Sequence, residues 1–234
     1  MQHANEALFI QLIRAIVGGD TSRAAELLES YPSLARQHLG EGATRQAPRD
    51  FFFTEIRHYL YGGDTPLHAA AAGYRLSIVK KLVEKGALVT AANRRGAHPL
   101  HYAADGSPGS CAWSPAAQAE VITFLINAGA PPNALDKSGV APLHRAVRQR
   151  CAAAVDALLR NGANVGLKNK SGSTPLHLAV QNTGKGGSGS PEAKVLQGKI
   201  IELLLKNGAN QKVKDGRGKT ARQCARSEWI RQLL

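Results

Sequence analysis

Four histidines, His68, His101, His144 and His177, recur at intervals of 33, 43 and 33 residues, each closing a Pro-Leu-His tripeptide. Imidazole is the commonest protein metal ligand and general base, so a repeating histidine invites both readings. A metal site needs several donors side by side. Here each Pro-Leu-His tripeptide carries one, and the three cysteines (Cys111, Cys151 and Cys224) are scattered with no CxxC pair. The pattern therefore gives the ring a structural task in every copy. Gly184 to Gly189, GKGGSG, formally matches a dinucleotide-binding loop. Such a loop must follow a strand and open a helix, whereas a helical pattern precedes this one. It reads as a flexible or partner-ordered loop whose amides and Lys185 could hold a phosphate. Cys111 has no base or cation nearby in sequence to make a thiolate. An enzyme using Cys111 or the Gly184 loop is thus a weak alternative. Arg145, Arg148 and Arg150 stand out more. Guanidinium forks hold carboxylates or phosphates with two parallel hydrogen bonds.

The elements that must position these groups follow from one stretch, Asn169 to Val180, NKSGSTPLHLAV. Asn169 followed by Gly172 signals a turn. Thr174 then caps a helix, and Pro175 suits its first position. Copies run from Tyr61 to Ala71, Asn93 to Ala104 and Asp136 to Val147, with a worn copy from Asp215 to Ala225. The cap positions are Thr65, His98, Ala141, Thr174 and Thr220, separated by 33, 43, 33 and 46 residues. Gly-Ala pairs at Gly86, Gly129, Gly162 and Gly208 keep step, each closing an apolar run of helical period with the left-handed residue that ends helices.

This grammar resembles the ankyrin repeat, with its T-P-L-H-x-A signature and period of about 33 residues. The resemblance implies an all-α, ankyrin-type helical repeat solenoid of about six repeats, including degenerate terminal caps. The boundaries read as an N-terminal cap (1–35), a long aromatic-rich loop (36–62), four repeats (63–95, 96–138, 139–171 and 172–217) and a C-terminal cap (218–234). It also implies that the histidine ring bonds the backbone and ties neighbouring turns. His98 and Ala141 replace the usual capping threonine, at a cost on the order of 1 kcal/mol each. Repeats three and five carry insertions of about ten and thirteen residues, Asp105 to Pro115 and Asn182 to Pro191, each ending in Ser-Pro. Insertions in such arrays fall on one face, often the binding face.

In the family the first helix and the turn tips contact partners. Position by position this nominates Tyr102, Asp105, Arg145, Arg148, Gln149, Leu178, Gln181 and Asn182 from the helices. From the tips it nominates Arg94, Arg95, Lys137, Lys170 and Arg217. Arg150 falls where the family normally has glycine. Trp113, in the first insertion, is either an interface anchor or a cover for the end of a helix pair. Residues 36–62 gather Phe51 to Phe53, Ile56, Tyr59, Leu60 and Tyr61. They either pack a long loop onto the first two repeats or form a partner patch rimmed by Arg45, Arg49, Arg57 and His58.

The 234 residues carry a net charge of +13, which favours acidic partners. No run approaches the roughly 20 apolar residues of a membrane span, and the N-terminus reads as a first helix rather than a signal peptide. Unpaired cysteines fit a reducing, cytoplasmic setting. The expectation is a monomeric, non-catalytic protein-binding scaffold that needs no cofactor and no metal. It would take an acidic partner on a basic concave surface, with the two insertion loops setting specificity. Exchanging Arg145 and Arg148 for Glu is expected to abolish binding with thermal stability unchanged. The alternative is a nucleic acid or phosphate ligand on the same surface, although aromatic interleaving is thin.

Overall fold

Each Pro-Leu-His segment starts a helix, and one device does it every time. In the computed structural model, which describes residues 2–44, 51–108, 110, 113–181 and 190–234, the backbone N–H of Thr65 donates to His68 Nδ1 at 3.1 Å. The N–H groups of His98, Ala141 and Thr174 do the same to His101, His144 and His177, at 3.0, 3.1 and 3.3 Å. An Nδ1 that accepts places the proton on Nε2. Nε2 of His68 then donates to the Ala97 carbonyl at 3.0 Å, and that of His177 to Lys219 at 3.0 Å. His144 Nε2 faces the carbonyls of Leu167 and Ser173 at 3.1 and 3.2 Å. These three rings therefore tie one helix start to the next turn, 23 to 42 residues on.

The described helices are α1 (Gln2–Gly18), α2 (Thr21–Ser30), α3 (Pro66–Ala72), α4 (Leu76–Glu84), α5 (Pro99–Ala104) and α6 (Pro115–Asn127). They continue with α7 (Pro142–Arg148), α8 (Ala152–Arg160), α9 (Pro175–Ala179), α10 (Pro191–Lys206), α11 (Ala221–Cys224) and α12 (Glu228–Gln232). A 3-10 turn, Pro32–Arg36, follows α2. The chain divides into two compact units, residues 1–103 with 110–131, and residues 104–109 with 132–234.

In the first unit the core runs through Leu12, Ile16, Leu28, Leu67, Ile78, Leu82, Leu100, Ile122 and Leu125, all at most 2 % exposed. Every residue of α3 is buried, because its four alanines let neighbouring helices approach from all sides. In the second unit Leu143, Val155, Leu158, Leu176, Ile200, Ile201 and Leu204 do the same work, and Ile230 closes the end. Turns stack closely. Gly172 has φ 71°, and a Cβ there would lie 2.5 Å from the Gly216 amide nitrogen, so only glycine fits.

Two buried glutamines close the openings where extra chain leaves the helix pairs. Gln118 Nε2 donates to the Ala103 carbonyl at 2.9 Å, and Gln197 Nε2 to Ala179 at 2.7 Å and Gln181 at 3.1 Å. Each satisfies carbonyls at the end of a first helix, which would otherwise be buried without a partner.

The aromatic-rich loop contains a hairpin that the sequence did not announce. β1 (Phe52–Phe53) pairs antiparallel with β2 (His58–Tyr59). Both strands are two residues long, too short for alternation to show. Leu60 and Ile56 are buried, while Phe52 and Tyr59 are 39 % and 38 % exposed with ring centroids 4.7 Å apart. The segment thus both packs inward and shows aromatic surface. Arg45 and Arg49 lie outside the described residues.

The missing hydroxyl at Ala141 gives a stability prediction. Thr65 and Thr174 place Oγ1 3.0 and 2.8 Å from their histidine Nδ1. Ala141→Thr should restore this contact and stabilise the fold by about 0.5–1 kcal/mol, raising Tm by roughly 1–4 °C. A calorimetric scan checks it, and a lowered Tm would show that the site cannot take the larger side chain.

Candidate functional site

Net charge is divided very unevenly between the two units. The second holds 18 lysines and arginines against seven acids, so +11 of the +13 falls there and +2 on the first. Several of its acids are already engaged. Asp156 pairs with Arg160 at 2.9 Å and Glu228 with Arg231 at 2.9 Å. Asp105 and Asp136 hold Arg145 between them, at 2.8 and 3.2 Å.

That last arrangement corrects the reading of Arg145 as a surface contact. Its side chain is 11 % exposed, and Asp105 and Asp136 are 14 % and 9 % exposed. Burial alone would lower the guanidinium, but the two carboxylates hold its pKa above the ordinary value. Burial would likewise raise Asp136, yet the N–H groups of Val140 and Ser138 and the Arg145 fork hold it below the usual range. Asp136 Oδ1 accepts from Ser138 N at 2.8 Å and Val140 N at 3.0 Å, leaving Oδ2 for Arg145. Arg145 and Asp105 are therefore parts of a largely buried ion cluster.

Tyr102 needs the same correction. It is 1 % exposed, and its hydroxyl donates to Asp64 Oδ2 at 2.6 Å. Asn93 Nδ2 donates to Asp64 Oδ1 at 2.9 Å, and the Tyr61 amide to Oδ2 at 2.6 Å. A fully buried carboxylate is thus surrounded by donors, which is what burial of a charge demands. Trp113 is half-buried, and its indole N–H donates to Gln118 Oε1 at 2.9 Å. Arg94 donates to the Ala43 carbonyl, and Arg95 lies 4.9 Å from the centre of the Tyr61 ring. Both remain exposed.

In the second unit Lys137, Arg148, Gln149, Lys170, Gln181 and Arg217 are exposed. Arg150 sits at φ 59°, left-handed backbone that costs a side-chain-bearing residue roughly 1–2 kcal/mol. Its guanidinium donates to the Gln181 carbonyl at 3.3 Å and Gln197 Oε1 at 3.1 Å. With Arg148, Leu178 and Gln181 it borders a depression of about 60 Å³. Asn182, Cys111 and Gly184 to Gly189 lie outside the described residues.

A larger groove, about 610 Å³, was not foreseen from the sequence. It lies between the turn 169–173 and the turn 215–219, and Leu178, Gln181, Gln223, Cys224 and Arg226 complete its described lining. Leu178, Gln181 and Arg217 were nominated singly, while Lys219 and Arg226 resemble ordinary exposed residues one by one.

The two described cysteines are poorly placed for nucleophilic chemistry. Cys151 is buried. Burial and the neighbouring Asp215 carboxylate raise the Cys224 thiol, the reverse of what a nucleophile needs. Among the described residues no group of three or more His, Cys, Asp or Glu could hold a metal ion. No helix among them is long and apolar enough to cross a membrane.

Comparison with known proteins gives one family and two relatives. The family described as "Ankyrin repeats (3 copies)" matches residues 22–114 and 110–215. One relative is the Arabidopsis thaliana protein named "Putative E3 ubiquitin-protein ligase XBAT31", 39 % identical over 100 residues. That match covers 41 % of this chain and 22 % of the relative. Another is the Arabidopsis thaliana "E3 ubiquitin-protein ligase KEG", 29 % identical over 158 residues, 64 % of this chain and 9 % of the relative. The chain thus corresponds to less than a quarter of the length of either.

Proposed function

The chain belongs to the ankyrin-repeat family, and from that premise we propose that it is a non-catalytic protein-binding module whose second unit takes an acidic partner on its basic surface. Ankyrin repeats are protein-interaction modules, and a binding surface is what this family's fold supplies. The observation that carries the finer reading is the +11 charge of the second unit, with Lys137, Arg148, Lys170 and Arg217 exposed while Asp105 and Asp136 are turned inward on Arg145. Exposed arginines offer bidentate contacts to carboxylates and draw an acidic partner in at long range.

Arg148 and Gln149 at the end of α7, with Arg150 and Gln181 beside them, form the central contact in this reading. The insertions after α5 and α9 set specificity, as loops on rigid scaffolds do. Ligase chemistry belongs to the two relatives' names and is not assigned to this chain. A chain of this kind attached to such an enzyme would serve as its recognition part.

Lys137→Glu combined with Arg148→Glu provides the test. Partners captured from an extract of the source cells should bind this variant at least about tenfold more weakly, since two attractive contacts become repulsive. Tm should stay within about 2 °C, as exposed charges contribute little to stability. Unchanged affinity would overturn the reading. Salt-dependent retention of a single-stranded oligonucleotide, with no acidic protein captured, would replace it with nucleic-acid binding.

A further inference from the structure

We infer that the groove between residues 169–173 and 215–226 is the anchoring subsite for an extended acidic peptide segment, with Arg217, Lys219 and Arg226 receiving its carboxylates. This rests on the acidic-partner reading above and narrows it to one place and one form of ligand.

The walls are built rather than incidental. Asn169 Oδ1 accepts from Ser171 N at 2.9 Å and Ser173 N at 3.0 Å. Asp215 Oδ1 accepts from Arg217 N at 2.9 Å and Lys219 N at 3.0 Å. The same internal brace thus fixes both turns. The Gly216 amide then donates to the Ser171 carbonyl at 3.0 Å, and His177 Nε2 to the Lys219 carbonyl at 3.0 Å, locking one turn to the other. A site on such rigid turns loses little entropy when it is filled.

The lining decides the chemistry. Among the described residues three cations border the groove, and the one acid, Asp215, is already holding two backbone N–H groups and facing the Cys224 thiol at 3.8 Å. Charge therefore selects an anion. Among the described residues no aromatic side chain lines the groove, so a nucleic-acid base would find no ring there to stack on. Leu178 adds an apolar contact suited to an aliphatic stem, and Asn169 and Gln181 are polar neighbours for a peptide backbone. A volume of about 610 Å³ lies within the roughly 300–1,000 Å³ of ligand-sized clefts. It exceeds what a single carboxylate fills, which favours a segment of several residues.

A fluorescein-labelled octaglutamate peptide, titrated by fluorescence anisotropy, tests this on the full chain. Wild-type protein should bind it, and Arg217→Glu with Arg226→Glu should weaken binding at least about tenfold. Arg14→Glu, at an exposed cation of the first unit, should change it less than about threefold. Both groove arginines are exposed, and an unaltered melt verifies that the variant is folded. If Arg148→Glu weakens binding and the groove variant does not, the groove assignment falls while the acidic-partner reading stands. No binding by wild-type protein at low salt would overturn both. Tighter binding of a single-stranded oligonucleotide of equal charge, lost in the same groove variant, would overturn the choice of a peptide.

Discussion

Arg145→Met should destabilise the second unit by about 3–5 kcal/mol, because it leaves two largely buried carboxylates without their cation. At roughly 2–4 °C per kcal/mol, that is a fall of about 6–20 °C in Tm. Asp105 and Asp136 meet separate nitrogens of the same fork. Arg145→Lys should therefore restore only part of the loss, since an ammonium is a point charge without the fork. Adding Asp105→Leu to Arg145→Met should recover some stability by removing the carboxylate that met Arg145 Nη1. Asp136 cannot be exchanged so freely, because its other oxygen braces the turn through Ser138 and Val140. Thermal melts by circular dichroism decide the matter. A loss under about 1 kcal/mol would place Arg145 among ordinary solvent-exposed ion pairs.

Acidification should weaken the fold well before carboxylates titrate. Burial lowers the pKa of His68 and His144, outweighing the opposing pull of Asp64 on the first and of the Ser173 and Leu167 carbonyls on the second. Their unfolded counterparts titrate near 6.5. Above that value both states are neutral and stability is complete. As pH falls below it, the unfolded chain takes up protons that the folded chain refuses, so stability drops. Each histidine contributes a slope of up to about 1.4 kcal/mol per pH unit, continuing down to its folded pKa. The structural reason is direct: a proton on Nδ1 would face the backbone N–H of Thr65 or Ala141, which now donates to it. Urea titrations at pH 7.5, 6.5 and 5.5 should show the midpoint falling. A flat midpoint over that range would mean that the rings are not locked as neutral donors.

The helices, their starts and the turns between them were legible because each depends on residues close together in sequence. Thr174, Pro175 and His177 set a helix start within four positions, and Gly162 at φ 85° ends α8 where the Gly-Ala pair said it would. What depended on distant partners was hidden. Arg145 looked like a free cation on a short helix until Asp105, 40 residues away, came beside it. Tyr102 looked like a contact residue until Asp64, 38 residues away, was found on its hydroxyl. The groove was invisible for the same reason, since its walls are turns that the chain brings together after a long insertion. The hairpin at Phe52 to Tyr59 escaped because two-residue strands carry no period.

The paired glutamines have a consequence for how such a chain can change. Gln118 and Gln197 cap the open carbonyls of Ala103 and Ala179 from inside the protein, so the helix pair beneath does not depend on what is spliced in above it. Lengthening a loop twofold costs only about 0.6 kcal/mol in closure entropy. The two openings therefore behave as sealed ports, where new recognition sequences can be grafted or exchanged while the scaffold that carries them stays the same.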